Sequence, residues 1–565
     1  MENKEISKIL SLTAKLMELH GENEFKLRSI QNAAFTISRL GEPVQSLSAE
    51  ELAAIKGIGK STGQKIASIL ETGTLPELTA LLADTPAGVV EMMGIKGIGP
   101  KKVAQLWKEL GIDTPGELLY ACNENRLVEL KGFGQKTQEQ IRKAIEFKIS
   151  NAGNFHFATL DPIANELAER IAAMKDVNAT SLTGAMRRKC EVVRSIDLLI
   201  ATNDRNQVLK ELSELITIPD DRSAKTIECT FLKEDEIFPV HLQFCEPEQF
   251  ETQLFITTGS ESHVQEVIRL LPSGIAQFDS ETDLYAAAGM QFVVPELRDD
   301  NDMIQLALHN KIPELISFTD LKGSLHNHST YSDGWNTLRE MAEACKGLGY
   351  QYLGICDHSK SAFYANGLSV ERIAQQHQEI DQLNKELAPF KIFKGIESDI
   401  LFDGSLDYDT ATLSTFDFIV ASVHSGLKMS QEKATERILT AVSNPFTTIL
   451  GHPTGRLLLA REGYPIDHKA VIDACAENQV IIELNAHPYR LDLDWRWLRY
   501  AVSKGVRISI NPDAHQVAGF HDMYYGVCAA RKGMLTPEMT FNTLTSTEMN
   551  DYFMQRKLNK GLPVK

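Results

Sequence analysis

The sequence predicts a multidomain chain, helical at its N-terminus, mixed α/β in its middle third and a (β/α)7 barrel at its C-terminus. Three observations carry this. A Gly-x-Gly unit between apolar helical segments occurs three times before residue 150; strand-like runs such as VRSIDLLIAT alternate with helical ones from about 151 to 310; and from Leu321 seven apolar, β-branched runs alternate with helical segments such as VERIAQQHQEIDQLNKEL. The 565 residues suit roughly three or four domains. The expected boundaries are 1–80 and 81–150 for two helical regions, 151–310 for the α/β segment, 311–321 for a connector and 322–565 for the barrel.

Composition narrows the class. Of all residues 43% are apolar and 24% charged, as in ordinary globular cores, and no stretch approaches the ~20 apolar residues of a membrane span. The start, MENKEISKIL, lacks an apolar signal core, so a cytoplasmic protein without membrane attachment is expected. The eight cysteines include no C-x-x-C pair, which argues against a zinc knuckle or a disulfide framework. Net charge is -18, unsuited to coating nucleic acid, but residues 1–150 balance 19 basic against 19 acidic side chains, so the deficit lies downstream. Ten of fifteen histidines lie from His326 onward, which suggests metal ligation there.

The repeats are LAAIKGIGKSTGQKIASIL (52–70), EMMGIKGIGPKKVAQLW (91–107) and LVELKGFGQKTQEQIRKAI (127–145). Each is a helix-hairpin-helix unit. The pairs Gly57/Gly59, Gly97/Gly99 and Gly132/Gly134 allow a tight turn whose backbone N–H groups meet a phosphate oxygen at the next helix's N-terminus. Lys60, Lys101 and Lys136 add charge without reading bases. One such turn could merely join packed helices; three at spacings of 40 and 35 residues point to binding of a DNA backbone.

In the middle segment, GAMRRKCEVVRSIDLLI resembles the palm motif of family X DNA polymerases, Gly-Ser-x-Arg-Arg followed by Asp-x-Asp, and VHLQF, EPEQF, TTGSESH and PELR follow in that family's order. The resemblance implies a nucleotidyltransferase-like palm and thumb, with the hairpin repeats in the places of the lyase and finger regions. It also exposes losses. The three metal-binding aspartates correspond here to Ser195, Asp197 and His241, and the triphosphate-contacting serine to Ala185, while Arg187 and Arg188 remain. One carboxylate and an imidazole do not replace three hard oxygen donors, so Mg2+ is not expected at the palm and polymerisation is expected to be lost. The two arginines could still hold a DNA phosphate. Lys65 matches the Schiff-base lysine of eukaryotic members, though a helical lysine there is far more often a solvated surface residue.

In the last segment each run ends on a polar residue. KGSLHNH ends at His326 and His328, YLGICDH at His358, KIFKGIE at Glu397, FDFIVASVH at His424, TTILGH at His452, VIIELN at Asn485 and RISINPDAH at Asp513 and His515. C-terminal ends of parallel strands converge on one face of a barrel, where barrel enzymes keep their chemistry. A lone buried histidine is usually a satisfied core residue, but chance explains poorly a ligand type at six of seven strand ends. Imidazoles suit zinc, iron or manganese, and carboxylates let ions share a bridging ligand.

HNHSTYSDG, ICDHS, GIESDI, VHSG, GHP and NPDAH together resemble the PHP (polymerase and histidinol phosphatase) domain. All nine metal-binding positions of that family are kept: His326, His328, Asp333, His358, Glu397, His424, His452, Asp513 and His515. The resemblance implies a distorted seven-stranded barrel and three divalent ions, Mn2+ or Zn2+. It assigns His326, His328, Glu397 and Asp513 to one ion, Asp333, His358 and His515 to a second, and Glu397, His424 and His452 to a third. A hydroxide bridging two ions would then attack phosphorus in line. Asp357, Lys360, Asn485, Arg456 and Arg490 are candidate supporting or phosphate contacts, Arg456 foremost because it follows a ligand in GHPTGR. The expected function is a DNA-repair phosphoesterase on gapped, nicked or 3′-end duplex DNA: a 3′–5′ exonuclease, with abasic-site endonuclease or 3′-phosphatase action as further options, acting as a monomer. An active polymerase with a PHP nuclease, a small-molecule phosphatase of the histidinol-phosphate type and a non-enzymatic DNA scaffold are the alternatives.

Overall fold

A computed structural model describes residues 1–40, 43–123, 127, 130–150, 152–233, 236–272 and 274–563. The chain forms two compact units, Met1–Ala152 and Gly153–Lys565.

The first unit is helical. One apolar cluster runs from Ile6 through Leu78 and Val89 to Ile145, so the expected division at residue 80 does not separate two cores. Its repeats share one local geometry. Gly57, Gly97 and Gly132 have φ of 105°, 98° and 89°, a region that favours glycine. The apolar residues between the glycines, Ile58, Ile98 and Phe133, are buried, whereas Gly59 and Gly99 cap the helices Lys60–Thr72 and Pro100–Leu110. Each turn is therefore pinned by its middle residue and presents its backbone outward. Lys60, Lys101 and Lys136 are exposed beside the turns. The start of the third repeat, at 127–129, lies partly outside the described residues.

The expected tight turn uses the two glycines of each pair differently. Gly59, Gly99 and Gly134 lack a left-handed φ, and a Cβ added at any of them would meet no described atom within 4 Å. Gly134 instead opens the helix Gln135–Ser150, its carbonyl accepting from Thr137 N at 2.9 Å and Gln138 N at 3.0 Å. The sharp bend is thus made by the first glycine alone, and the second leaves room in front of the helix N-terminus.

The second unit opens with a four-stranded sheet of β1 (Ala179–Leu182), β2 (Ile196–Ala201), β3 (Thr226–Lys233) and β4 (Glu236–Cys245), in the order β1-β2-β4-β3. Only β2 and β4 pair in parallel, and their register sets Asp197 opposite His241. The alternation of Ile227, Cys229 and Phe231 with polar residues buries one face of β3 against the core. A second small core gathers the helices from Phe250 to Leu308.

The C-terminal part contains β5 (Gly323–Ser324), β6 (Tyr352–Ile355), β7 (Lys391–Lys394), β8 (Glu397–Asp399), β9 (Val420–Ser422), β10 (Ile449–Leu450), β11 (Ile481–Asn485) and β12 (Ile508–Asn511). Strands β5 to β7 form one parallel sheet and β8 to β12 another. The expected single run KIFKGIE is thus two strands that bend between sheets. Gly395 sits at the bend, where an added Cβ would stand 2.5 Å from Phe418 Cζ and 2.6 Å from Ile355 O. A parallel bridge between Asn327 and Ala514 joins the far edges, which gives seven strand runs in a distorted barrel.

The connector at 311–321 is packed. Ile312 belongs to the helical core of the thumb, Ile316 to the barrel core, and Ile316 N donates to Leu535 O at 2.9 Å. Palm and barrel are also fastened by polar contacts. Buried Lys532 pairs with Asp299 and donates to Arg188 O, and Arg531 Nε donates to Glu296 Oε1 at 2.7 Å. These ties explain why the two segments form one unit. No helix of the described residues is long and apolar enough to cross a membrane.

Candidate metal centre

The parallel strands finish on one face, and the residues just past their ends meet there. His326 and His328, two apart past β5, project on the same side. Glu397, the first residue of β8, is the hub. Its Oε1 lies 3.0 Å from His452 Nε2, 3.1 Å from His424 Nε2 and 3.4 Å from His326 Nε2, and its Oε2 lies 3.0 Å from His358 Nδ1. His328 Nε2 lies 2.9 Å from Asp513 Oδ1, and Asp333 reaches His358 at 3.6 Å and His515 at 3.5 Å. All nine expected ligand residues therefore stand in one cluster.

Its donor atoms fit divalent ions. His326 Nε2, His328 Nδ1, Glu397 Oε2 and His452 Nδ1 are buried without a hydrogen bond, a costly arrangement unless an ion satisfies them. Three sets of donor atoms lie within 4.8 Å of one another: His328, Asp333, His358 and His515; His326, His328 and Asp513; and His358, Glu397 and His424. His328 and His358 each fall in two of these sets, whereas the resemblance gives each histidine to a single ion and shares only Glu397.

Protonation reflects the same crowding. Burial opposes a charge on His326, but Glu483, Glu397 and Asp513 outweigh it and hold the ring well above its ordinary value. His424 is likewise held at about 10, against burial, by Glu397 and Asp399, and His515 at about 9 by Asp333 and Asp513. Burial and the neighbouring His515 and His358 push His328 down to about 3. Glu397 stays ionised against burial through His424, His326 and His358.

Two carboxylates absent from the expected set orient the ligands. Glu483 Oε2 lies 2.7 Å from His326 Nδ1 and its Oε1 accepts from His452 N; Asp399 Oδ1 lies 2.6 Å from His424 Nδ1. Each leaves the histidine's Nε2 facing the cluster, the tautomer a metal needs. Both lie two residues from a singled-out position, Asn485 and Glu397, and the strand period of two would have disclosed them. Asn485 Nδ2 donates to Asp513 Oδ2 and Glu483 Oε1, both at 3.2 Å. Asp357 is buried and accepts from Ser329, Ser332 and Gln376, so it braces the HNHS loop. The preference for Arg456 is reversed. Arg456 is tied to Asp494 and to the carbonyls of Arg490 and Leu491, whereas Arg490 Nε stands 3.9 Å from Asp513. Lys360 lies over the Tyr408 ring.

Comparison with known proteins adds to this geometry. Residues 1–75 match a helix-hairpin-helix domain, 89–146 a SAM-like helix-hairpin-helix tandem and 324–487 the PHP domain. The chain is 36% identical over 568 residues to the DNA polymerase/3′-5′ exonuclease PolX of Bacillus subtilis, covering 98% of both chains. The chain belongs to the PolX family. It is also similar to a "Probable phosphatase" of Caldicellulosiruptor saccharolyticus, 27% identical over 213 residues (34% of this chain, 80% of that one). Another, from Thermoanaerobacter sp., is 24% identical over 254 residues (42% and 96%).

In this PolX family member the palm positions are occupied by one another. Ser195 Oγ donates to Asp197 Oδ1 at 2.7 Å and lies 3.1 Å from His241 Nδ1, which is 3.0 Å from Asp197 Oδ1. The Asp197 hydrogen bond raises the His241 pKa, against partial burial. Ala185 packs against the palm core. The arginines expected to hold a phosphate are engaged. Arg187 forms a two-point pair with Glu281, which also pairs with buried Arg298, and Arg188 pairs with Asp299 and donates to Thr258 O. A phosphate would have to break partly buried ion pairs to reach them. Lys65, on the helix Lys60–Thr72, is paired with Glu77.

The Glu483 contact yields a prediction. Glu483→Gln is expected to weaken metal retention about 10–100-fold, measured as bound Mn2+ against free Mn2+, with activity recovering at raised Mn2+. Unchanged retention would remove Glu483 from a positioning role.

Proposed function

We propose that this chain is a metal-dependent phosphodiesterase that releases nucleotides from DNA 3′ ends at its barrel, and that its palm no longer polymerises. The observation that carries this reading is the contrast between two sites. Nine candidate ligands, Glu397 at their centre, cluster with unsatisfied buried donors, whereas the palm offers one carboxylate already bonded to Ser195 and His241. The Bacillus subtilis relative's name supplies the 3′–5′ exonuclease direction.

Mn2+ or Zn2+ held by the nine residues would supply Lewis acidity and a nucleophile at neutral pH. The chain's own groups do the rest. Glu483 and Asp399 fix imidazole orientation, Asn485 steadies Asp513, and Arg490 adds a cation beside the cluster for a phosphate oxygen. The hairpin turns, open at Gly59, Gly99 and Gly134 and flanked by Lys60, Lys101 and Lys136, grip the DNA backbone, while Arg187 and Arg188 serve the palm's own packing. Abasic-site cleavage and 3′-phosphate removal are compatible chemistries of one hydrolytic site; Lys65, paired with Glu77, is not assigned lyase chemistry. The phosphatase relatives favour small phosphomonoesters as the second reading.

A 5′-labelled primer in a gapped duplex tests both halves. With Mn2+ the primer should shorten from its 3′ end, and adding dNTPs should give no extension. Extension would overturn the silent palm, and an intact primer with hydrolysis of p-nitrophenyl phosphate would favour the phosphatase reading.

A further inference from the structure

Four exposed aromatic rings stand on loops that leave the ligand-bearing strand ends. Trp335 is 77% exposed, Phe363 89%, Phe402 66% and Tyr489 48%. Trp335 follows Asp333 by two residues, and its N donates to His515 O at 2.7 Å. The Phe363 loop is tied to the site by Ser361 Oγ, which donates to Asp399 Oδ2 at 3.1 Å, and by Asn366 Nδ2, which donates to Ser332 O. Phe402 lies against Gly426, two residues past His424, where an added Cβ would stand 2.6 Å from Phe402 Cε1. Tyr489 precedes Arg490, the cation near Asp513, and its ring is 4.2 Å from that of His156 in the palm. The other exposed apolar residues of the barrel, Leu348, Val370, Tyr524, Met554 and Leu558, lie on or at the ends of helices, the one aromatic among them, Tyr524, meeting Lys189 of the palm, and Phe318 lies in the connector.

Resting on the nuclease reading above, we propose that Trp335, Phe363, Phe402 and Tyr489 form a stacking collar that holds unpaired nucleobases of a DNA 3′ end while the scissile phosphate enters the metal cluster. The chemistry of the rim favours bases over phosphates as what it grips. In the four loops, residues 329–336, 359–369, 400–409 and 486–494, the cations are Lys360 and Arg490, against Asp333, Asp403, Asp407, Asp409, Asp492 and Asp494; the loops after His424 and His452 add exposed Lys428 together with Arg456, tied to Asp494, and Arg461, tied to Gly455 O, and Arg437 covers one side of the Phe402 ring. Lys360 lies over Tyr408, which leaves Arg490 nearest the cluster. Coulomb attraction for the polyanion falls to the metal ions and the hairpins, and a rim so rich in carboxylates cannot add much grip on the strand beyond the scissile phosphate. Aromatic faces can, because every base has a π face, and stacking tolerates any sequence. A paired 3′ terminus hides those faces in the duplex, so the collar rewards a frayed end.

The test uses the Mn2+-loaded full chain and two oligonucleotides: oligothymidylate, and the same strand whose last four nucleosides are abasic tetrahydrofuran residues. Wild type should show a KM about five- to a hundred-fold higher on the abasic strand, with kcat little changed. Trp335→Ala, Phe363→Ala, Phe402→Ala and Tyr489→Ala should each narrow that gap by raising KM on oligothymidylate, and Trp335→Phe and Phe363→Tyr should restore it. Oligothymidylate should quench tryptophan emission in wild type and much less in Trp335→Phe. Circular dichroism melts identify any variant that fails to fold, and the two conservative variants keep the test open in that case. Equal KM on the two strands in wild type, or alanine variants that shift both strands alike, would overturn the collar and leave these rings to an apolar protein partner. Failure of wild type to degrade either strand would overturn the nuclease reading itself.

Discussion

Glu397→Gln is expected to reduce 3′-terminal nucleotide release by about three orders of magnitude or more, without loss of duplex binding through the hairpins. The magnitude follows from what the charge does. Glu397 faces His326, His358, His424 and His452 at 3.0 to 3.4 Å, more imidazoles than Asp333 or Asp513 meets, and a glutamine keeps the shape while removing the charge. Neutralising phosphate oxygens and providing a nucleophile at neutral pH each account for several kcal/mol of barrier in metal-dependent hydrolysis, and ~1.4 kcal/mol is a factor of ten in rate. The assay is single-turnover release of the labelled 3′ nucleotide with Mn2+, beside gel-shift binding of the same gapped duplex. Retained hydrolysis would place the chemistry outside this cluster; lost binding with lost hydrolysis would point to a folding defect.

Parallel strands explain why the clustered His, Asp and Glu side chains could be read from the sequence and their supports could not. Each strand run ends on the same face, so the His, Asp and Glu types at run ends, from His326 to His515, were visible as a pattern. Glu483 and Asp399 sit inside strands, where an acidic residue in an apolar run reads first as an interruption. Arg456 illustrates the opposite error. Adjacency in GHPTGR suggested a phosphate contact, yet the Gly455 turn, with φ of 60°, leads the side chain to Asp494 and the 490–491 carbonyls. In the hairpins the Gly-x-Gly spacing was visible, but not that Gly132 makes the bend and Gly134 only opens the helix, because φ is not written in residue type. In the palm Ser195, Asp197 and His241 were legible one by one. What was not legible was Glu281, 94 residues from Arg187, which takes the arginine out of reach of a phosphate. The border at 150 coincides with the division between the two units, but packing crosses two others: Lys532, Arg531 and Ile316 weld segments that look separate along the chain, and one core runs from Ile6 to Ile145 across residue 80.

Loading the metal-free chain with Mn2+ at pH 7.5 is expected to release about three protons. His326 is held well above its ordinary value, His424 at about 10 and His515 at about 9. At pH 7.5 these rings are cations among the carboxylates of Glu397, Asp399, Asp333 and Asp513. An ion needs neutral imidazole, so each must give up a proton as the charge it balances is replaced. Apparent affinity should therefore climb steeply with pH and level off as pH passes 9 to 10. Stability of the metal-free chain runs the other way. A folded-state pKa raised above the ordinary ~6.5 contributes stability that is fully present below that value and lost as pH rises through the folded pKa. The chelated protein should thus lose melting temperature between about pH 6.5 and 10, whereas the loaded protein, whose ligand imidazoles are already neutral, should change little over that range. Titration calorimetry in two buffers of different ionisation enthalpy counts the protons, and scanning calorimetry with Mn2+ or EDTA follows the two stability curves. Proton release near zero, with parallel curves, would mean that the imidazoles are neutral before the metal arrives and that Glu397, Asp399 and Asp333 do not hold them charged.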